Sequence, residues 1–478
     1  MKLPKGFKMF PHVPYPFQIE TINYGIKHDN IGLLLSMGLG KTICSITIAR
    51  WRIQNDNCKK ILVICPVSIM RKWQGDIHES SEYKATVVYG TRAERIRLLK
   101  EKSEFYIINY EALTPLYQPL KDMKFDILIA DESARYIQNP TSNRSLAAIQ
   151  LSDIARYRMI LTGTLISKRP MNLWSQFRFL TGGETFGDNF YKFRSKMFTR
   201  LDLGSFEKFV LKKQYIPIIN KGIYSACIKF TRDEIKDELP EVLPTVETFI
   251  EMDRDLQLIY DSIKKNIITE IETEKGRVTL KKNFILSRLT KLQQITSGFI
   301  KNKGEQEEKL RSTPKLDALI EEVASITDDE ESVIIWCRFR FSISMIETAL
   351  KKLKIKTIVM TGSDSQKSKD EKWNKFQRSK TINVFIGQIE AGGIGIELFK
   401  IDGDKDKTQH TLFFDRTWVF DHTVQAAGRS DRIGQKSKIR KNHFVVKNSL
   451  DEIMYDTQKN DKEIAEKIMR VGIRKFLK

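Results

Sequence analysis

The sequence predicts an α/β protein of two lobes, each a parallel sheet flanked by helices. Short apolar runs alternate with turns and polar, helix-compatible stretches in the first half of the chain. The same alternation returns after residue 330, and the region between has a different character. A length of 478 residues also exceeds one ordinary core and favours about two to four domains.

In the first lobe the apolar runs are Ile31–Leu35, Ile61–Cys65, Phe105–Asn109, Ile127–Ala130 and Met159–Leu161. In the second they are Val333–Trp336, Thr357–Met360, Val384–Gly387, Thr411–Phe414 and Asn442–Val446. Between about 170 and 330 glycine becomes sparse after Gly182-Gly183, and long charged stretches with helical spacing follow. Phe177, Phe179, Phe186, Phe190, Tyr191, Phe193 and Phe198 form an aromatic stretch best read as helix-packing core, with base stacking as the alternative. Leu239-Pro240 and Leu243-Pro244 predict a hinge, because proline disfavours helix at the preceding residue. The lobes are therefore placed at 1–238 and 239–478, with helical protrusions near 170–238 and 250–310. Lys301–Ser312 is charged and expected as an exposed loop, and Leu450–Lys478 as a helix with a basic end.

Composition narrows the function classes. The formal net charge of +21 fits a polyanionic partner, since lysine and arginine neutralise phosphates and release counterions. A lysine-rich surface with no such partner gives the same number. Cys44, Cys58, Cys65, Cys227 and Cys337 make no C-x-x-C pair, which argues against a zinc site or disulfide framework and for a reducing compartment. No segment is long and apolar enough to span a bilayer, and the N-terminus lacks a secretory h-region. A soluble, non-exported protein is expected.

Three segments carry chemistry. After the run Ile31–Leu35 come Gly38, Gly40, Lys41 and Thr42, then Ile43–Arg50 as helix. This is the context of a phosphate loop: glycines let backbone N–H groups approach phosphates, and a helix N-terminus favours their charge. Lys41 would reach the β- and γ-phosphates and Thr42 would ligate Mg²⁺. The strict pattern asks for glycine where this chain has Leu35. The second segment, Ile127–Ala130 followed by Asp131-Glu132, places two acids at a strand end. Asp131 can hold Mg²⁺ there, and Glu132 can orient or deprotonate the attacking water. The third holds Arg429 and Arg432, which share a face if the segment is helical and suit bidentate phosphoryl contact. Alone, these pieces could equally be a plain strand–turn–helix, a surface acid pair and a solvated basic face.

Together with their surroundings they resemble the SWI/SNF-like branch of the superfamily 2 helicase-type ATPases, over about Tyr15 to Asp456. Gln18 matches the branch's adenine-reading glutamine, and Met37–Thr42 its M-G-L-G-K-T loop. Ile61–Ile77, with Cys65-Pro66 and Trp73, resembles motif Ia, and Ile108–Glu111 the next motif. Asp131-Glu132-Ser133 followed by Gln138–Ser142 is similar to the form met in annealing-helicase (HARP-type) proteins. Leu161–Thr164 resembles motif III, with Leu173-Trp174 following. In the second lobe Thr313–Leu316 resembles the entry segment, Val333–Arg338 motif IV with Thr361–Ser363 as the G-S element after it, Ala391–Leu398 motif V and Gln425–Gln435 motif VI.

The resemblance implies two RecA-like lobes with helical protrusions between motifs III and IV. It implies an ATP- and Mg²⁺-dependent, DNA-stimulated ATPase that translocates on double-stranded or branched DNA, in replication, recombination or repair. Nucleotide contacts would fall on Gln18, Met37, Gly38, Leu39, Gly40, Lys41, Thr42, Gly395 and Gln425. Thr42 and Asp131 would hold the metal, and Lys41, Asp131, Glu132, Arg429 and Arg432 would act in catalysis. DNA contacts would fall on Lys72, Thr164, Arg338, Ser363, Gly392 and Trp418. Departures from the pattern are Ser36, Ala134, Leu165, Glu397, Val419-Phe420 and Asp431, several at positions expected to couple the ATP site to lobe closure. A strand-separating DNA or RNA helicase and a weakly hydrolysing ATP-gated DNA clamp remain the rival readings. No bromodomain-, chromodomain- or zinc-finger-like segment is visible, which weighs against a histone-reading remodeller. By analogy with compact phage or viral motors, a monomer is expected in the cytoplasm of a bacterial or phage-infected cell, or in the nucleus of a eukaryote.

Overall fold

The computed structural model describes residues 2–7, 13–163, 170–202, 207–238, 241–275, 282–301, 306–392, 398–401, 403–431 and 435–459, with side chains 202, 207–208, 236–238, 271–275, 282–284, 391–392 and 420–421 not described. The chain divides into two compact units, Met1–Glu238 and Leu239–Lys478. No described helix is long and apolar enough to cross a membrane.

Unit 1 is built on strands β1 (Asn30–Leu35), β2 (Ile61–Cys65), β3 (Ala85–Val87), β4 (Phe105–Asn109), β5 (Ile127–Asp131), β6 (Tyr157–Leu161) and, after an insert, β9 (Cys227–Phe230). They form a seven-stranded sheet in the order β3-β4-β2-β5-β6-β1-β9, parallel throughout. Every residue of β2 and β4 is buried. That is the burial of strands covered by helices on both faces, and it explains why these strands read as unbroken apolar runs. The covering helices include α1 (Pro16–Lys27), α2 (Lys41–Asp56) and α3 (Met70–Ser80). Strand polarity carries the C-terminal ends of β1, β2, β5 and β6 to one edge, where the chemistry-bearing loops emerge.

The insert between β6 and β9 holds the helices Leu173–Thr181, Phe190–Met197 and Ile216–Ala226 and the antiparallel hairpin β7 (Phe198–Asp202)–β8 (Glu207–Leu211). Phe177, Phe179, Phe186, Phe193 and Phe198 are buried, with ring centroids of successive pairs 4.9–5.6 Å apart from Phe177–Phe186 to Phe193–Phe198. This aromatic stretch is packing core; Tyr191 alone of those seven is exposed.

Unit 2 contains β10 (Val246–Ile250), β13 (Ser332–Cys337), β14 (Thr357–Met360), β15 (Val384–Gln388), β16 (Thr408–Phe413) and β17 (Lys438–Val446). Their order is β10-β17-β16-β13-β15-β14, again all parallel. The helices Arg254–Lys275 and Lys282–Thr296 pack with the helix Leu450–Lys459 through Leu256, Tyr260, Leu289, Leu292, Leu450 and Met454. Lys301–Ser312 is not a plain loop. It contributes to an antiparallel hairpin, β11 (Phe299–Lys301) with β12 (Glu307–Lys309). The pairing is possible because Phe299 is buried and anchors the hairpin, while β12 is exposed along its length and so carries charge.

Unit 2 also holds a buried ion pair. Lys315 Nζ sits 2.5 Å from Asp451 Oδ2, with both side chains 2% exposed. Thr296 donates to the other Asp451 oxygen at 3.0 Å, so the pair joins three helices. A pair this dry holds only while both charges are present.

Candidate nucleotide site

The loop after β1 turns into α2 through two glycines in the left-handed region, Gly38 at φ 81° and Gly40 at φ 77°. Residues with a side chain are disfavoured there, which accounts for the glycine spacing. Leu39 between them is fully buried and anchors the loop. Thr42 lies in the first turn of α2, which opens at Lys41. Lys41 Nζ folds back into its own loop, donating to Leu35 O at 2.7 Å and Ser36 O at 3.2 Å. Leu35, the residue that departs from the strict phosphate-loop pattern, ends β1 and is fully buried; only its carbonyl serves the loop. Gln18 is buried on α1 and clasps the same loop, accepting from Tyr15 N at 3.1 Å and donating to Leu39 O at 3.4 Å.

Asp131 ends β5, two strands from β1. Its Oδ2 accepts from the Trp73 indole at 2.9 Å and its Oδ1 from Glu132 N at 2.9 Å. Tyr110 donates to the Asp131 carbonyl at 2.6 Å and stacks on Tyr136. Burial, and next the neighbouring Glu132 carboxylate, push the Asp131 carboxyl up to about 7, against the pull of the Trp73 hydrogen bond and the Lys41 charge. The site therefore holds a buried acid whose charge is under-compensated, a ligand type that fits a divalent cation. Glu132 itself sits at φ 53°, ψ 38°, a left-handed conformation rare for a side-chain-bearing residue. That turn fixes the direction in which its carboxylate leaves the strand end. Behind it, Ser133 Oγ donates to Gln176 at 3.1 Å, tying the acid pair to the helix Leu173–Thr181. Ala134 is buried where the family pattern has histidine.

The end of β6 closes on the phosphate loop. Thr162 N donates to Leu33 O at 3.2 Å. A Cβ placed on Gly163 would lie 3.8 Å from the Met37 side chain and 3.9 Å from Lys41 Nζ. Gln18, Met37, Gly38, Leu39, Gly40, Lys41 and Thr42 are thus gathered on one edge of the first sheet, together with Asp131 and Glu132.

In unit 2 the helix Phe420–Ala427 ends at Gly428. Arg429 lies beyond it, and Gly428 N and Arg429 N close the last turn on Val424 O and Ala426 O; Arg432, the other half of the expected pair, lies outside the described residues. Arg429 is 4% exposed, and its neighbour Ser430 bonds Thr411 at 2.7 Å. Asp431, where the pattern has histidine, pairs with Lys441 at 3.3 Å. Gln425 is half-buried on the helix, and its Oε1 meets no hydrogen-bond donor among the described residues. Arg432, Gly395 and Thr164 lie outside the described residues.

The expected DNA residues occupy varied surroundings. Lys72 pairs with Asp76 one turn along α3 at 3.0 Å. Ser363 is exposed just after β14, and Gly392 ends a short helix after β15. Arg338 packs inside unit 2, its guanidinium 5.3 Å from the Trp418 ring centre and bonded to Gln293. Trp73 and Tyr110 hold Asp131 directly and Gln176 holds Ser133 next to Glu132, each from a distant part of the sequence. Trp73 and Tyr110 lie in recognisable segments, yet nothing local to them announces the contact. The five cysteines are buried and their thiols pushed up, Cys44 and Cys227 to about 12, so they are poor nucleophiles.

Family models match nearly the whole described motif set. A SNF2-related domain model covers residues 17–298, and a helicase conserved C-terminal domain model covers residues 314–434. An uncharacterized ATP-dependent helicase of Mycoplasma genitalium is 25% identical over 95% of this chain and 42% of its own length. A putative ATP-dependent helicase/translocase of Bacillus subtilis is 25% identical over 91% and 46%. The CHD3-type chromatin-remodeling factor PICKLE of Arabidopsis thaliana is 23% identical over 95% and 35%. The chain thus spans under half the length of these curated relatives. The Sulfolobus solfataricus SWI2/SNF2 ATPase core in complex with double-stranded DNA aligns over 99% of this chain and 96% of its own, at 22% identity and a TM-score of 0.45. The curated relatives are bacterial and plant proteins, which lends no support to the expectation of a phage or viral source. With the SNF2-related model alone spanning more than half of it, the chain belongs to the SNF2-related family of superfamily 2 helicase-type ATPases.

Proposed function

We propose that this chain hydrolyses ATP at the edge of its first sheet and uses the cycle to move along double-stranded DNA. One observation carries the hydrolytic half: Lys41, Asp131 and Glu132 gather at one sheet edge, with Asp131 holding an under-compensated buried charge. The loop glycines and the start of α2 offer backbone N–H groups to phosphates, and Lys41 exchanges its carbonyl partners for β- and γ-oxygens. Thr42 and Asp131 are the residues that would hold Mg²⁺. Bound there, the metal would neutralise charge on the phosphates. Glu132 orients a water towards the γ-phosphorus and takes its proton as the new P–O bond forms and the bond to the ADP oxygen breaks. Gln18 reads the adenine edge from the floor of the loop.

Arg429 and Arg432 are proposed as the second unit's contribution to charge on the transferring phosphoryl group, with Gln425 and Gly395 at the nucleotide. Lys72, Thr164, Arg338, Ser363, Gly392 and Trp418 are the proposed DNA contacts, and the net charge of +21 supports a polyanionic track. Replication, recombination or repair is the proposed setting. Triplex displacement and duplex unwinding, run side by side with ATP, test the translocase reading. Displacement of the third strand without separation of the duplex supports it, and efficient unwinding overturns it.

A further inference from the structure

Gln409, on β16, lies outside every segment so far given a chemical role. It is 1% exposed, and both ends of its amide are used. Nε2 donates to Leu398 O at 2.6 Å, at the exit of motif V. Oε1 accepts from Gln435 Nε2 at 3.1 Å, at the last residue of motif VI. Leu398 in turn donates its N–H to Arg429 O at 2.9 Å. Beside this, Lys400 Nζ is held by Phe376 O, Ser379 O and Ile382 O at 2.6–2.8 Å, and Ile401 N by Gln377 O at 3.2 Å. Motif V therefore leaves along a segment bonded on one side to motif VI and on the other to the helix Gln366–Arg378.

The relay needs an amide at 409. Leu398 O must receive a donor and Gln435 Nε2 must find an acceptor, since all three residues are buried. A carboxylate would meet a carbonyl oxygen, and a thioether of similar length would leave both partners unpaired. Gln409 rides on a central strand paired on both sides, with Ser332 and Ile439 as register partners, so it is a rigid support.

We propose that Gln409 is a positioning residue: through Leu398 and Gln435 it locks motif V to motif VI and sets the backbone from which Arg429 projects. The inference rests on the reading of Arg429 as a charge-stabilising arginine for ATP hydrolysis. Because the phosphate loop, Lys41 and the metal-holding residues belong to unit 1, and unit 2 adds only Gln425 and Gly395 at the nucleotide, the lock acts chiefly on turnover through Arg429.

A double-mutant cycle tests it in the full chain. Gln409→Met and Gln435→Met are made singly and together, with Gln409→Glu as a charge control. Steady-state ATP hydrolysis is measured with and without duplex DNA, and thermal melting checks the fold. Each single Met variant is expected to lose about tenfold in kcat, with KM for ATP changed far less than kcat. The double variant is expected to lose little more than either single, because one lock is broken either way. Gln409→Glu should be at least as impaired as Gln409→Met. Multiplying single effects, or a rise in KM with kcat kept, overturns the proposal. If the wild type hydrolyses ATP but ignores DNA, the translocase reading fails while the kcat cycle still decides the lock.

Discussion

Replacing Asp131 with Asn should make the unliganded protein more stable above neutral pH while abolishing its ATPase. The reason is the buried charge. The Asp131 carboxyl ordinarily titrates at 3.8, and burial plus the Glu132 carboxylate move it to about 7 in the folded chain. Below pH 3.8 it is neutral in both the folded and the unfolded chain. Between about 4 and 7 the unfolded chain ionises first, so stability falls as pH rises through this window and levels off above it. Moving a carboxyl from 3.8 to about 7 corresponds to about 4 kcal/mol, as an upper bound. Asn removes this charge. It also turns an amide N–H₂ towards either the Trp73 indole, now 2.9 Å from Oδ2, or Glu132 N, at 2.9 Å from Oδ1. That donor-to-donor mismatch costs about 1–2 kcal/mol. The net gain for Asp131→Asn at pH 8 is therefore about 2 kcal/mol, or about 4–8 °C in melting temperature for a unit of this size. Near pH 5 the wild-type carboxyl is largely neutral when folded, and the advantage disappears. Melting of both proteins by circular dichroism at pH 5 and pH 8 is the assay. An advantage that is the same at both values, or a variant less stable than wild type at pH 8, refutes the buried-charge reasoning.

Glu132→Gln should keep nucleotide affinity and lose about 10²–10⁴ in kcat, read by fluorescent-nucleotide titration beside steady-state hydrolysis. Gln18→Ala, which removes the clasp on Tyr15 N and Leu39 O, should raise KM for ATP about tenfold and bring ATP and GTP close to equal use. Asp451→Ala should cost about 3–5 kcal/mol in urea unfolding, because it leaves the Lys315 ammonium buried and uncompensated. Exchanging both partners for apolar residues should recover most of that loss.

The strands were legible where the chain wrote them as unbroken apolar runs, as at Ile61–Cys65 and Phe105–Asn109, because parallel strands buried on both faces tolerate little else. The edge strands β9 and β10 escaped for the opposite reason. Val246–Ile250 is half-exposed and follows two prolines, so its pattern is indistinct from a loop. Cys227–Phe230 starts at the end of a helix with no turn residues to mark the change. The phosphate loop was legible because its requirements are local: two left-handed positions, a lysine and a helix start. The support of Asp131 was not, since Trp73 lies 58 residues away and only the folded sheet brings α3 against the end of β5. Arg429 shows the limit of periodicity: a spacing of three implies a shared face only inside a helix, and Gly428 ends the helix before Arg429.

ATP hydrolysis by the wild type and by Lys41→Ala, each with and without duplex DNA, tests the central claim most directly. Wild type should hydrolyse ATP and be stimulated by the duplex. Lys41→Ala, lacking the ammonium that now bonds Leu35 O and Ser36 O, should fall about 10²–10³ under both conditions. Equal, negligible rates for the two proteins, with DNA present or absent, would contradict the account.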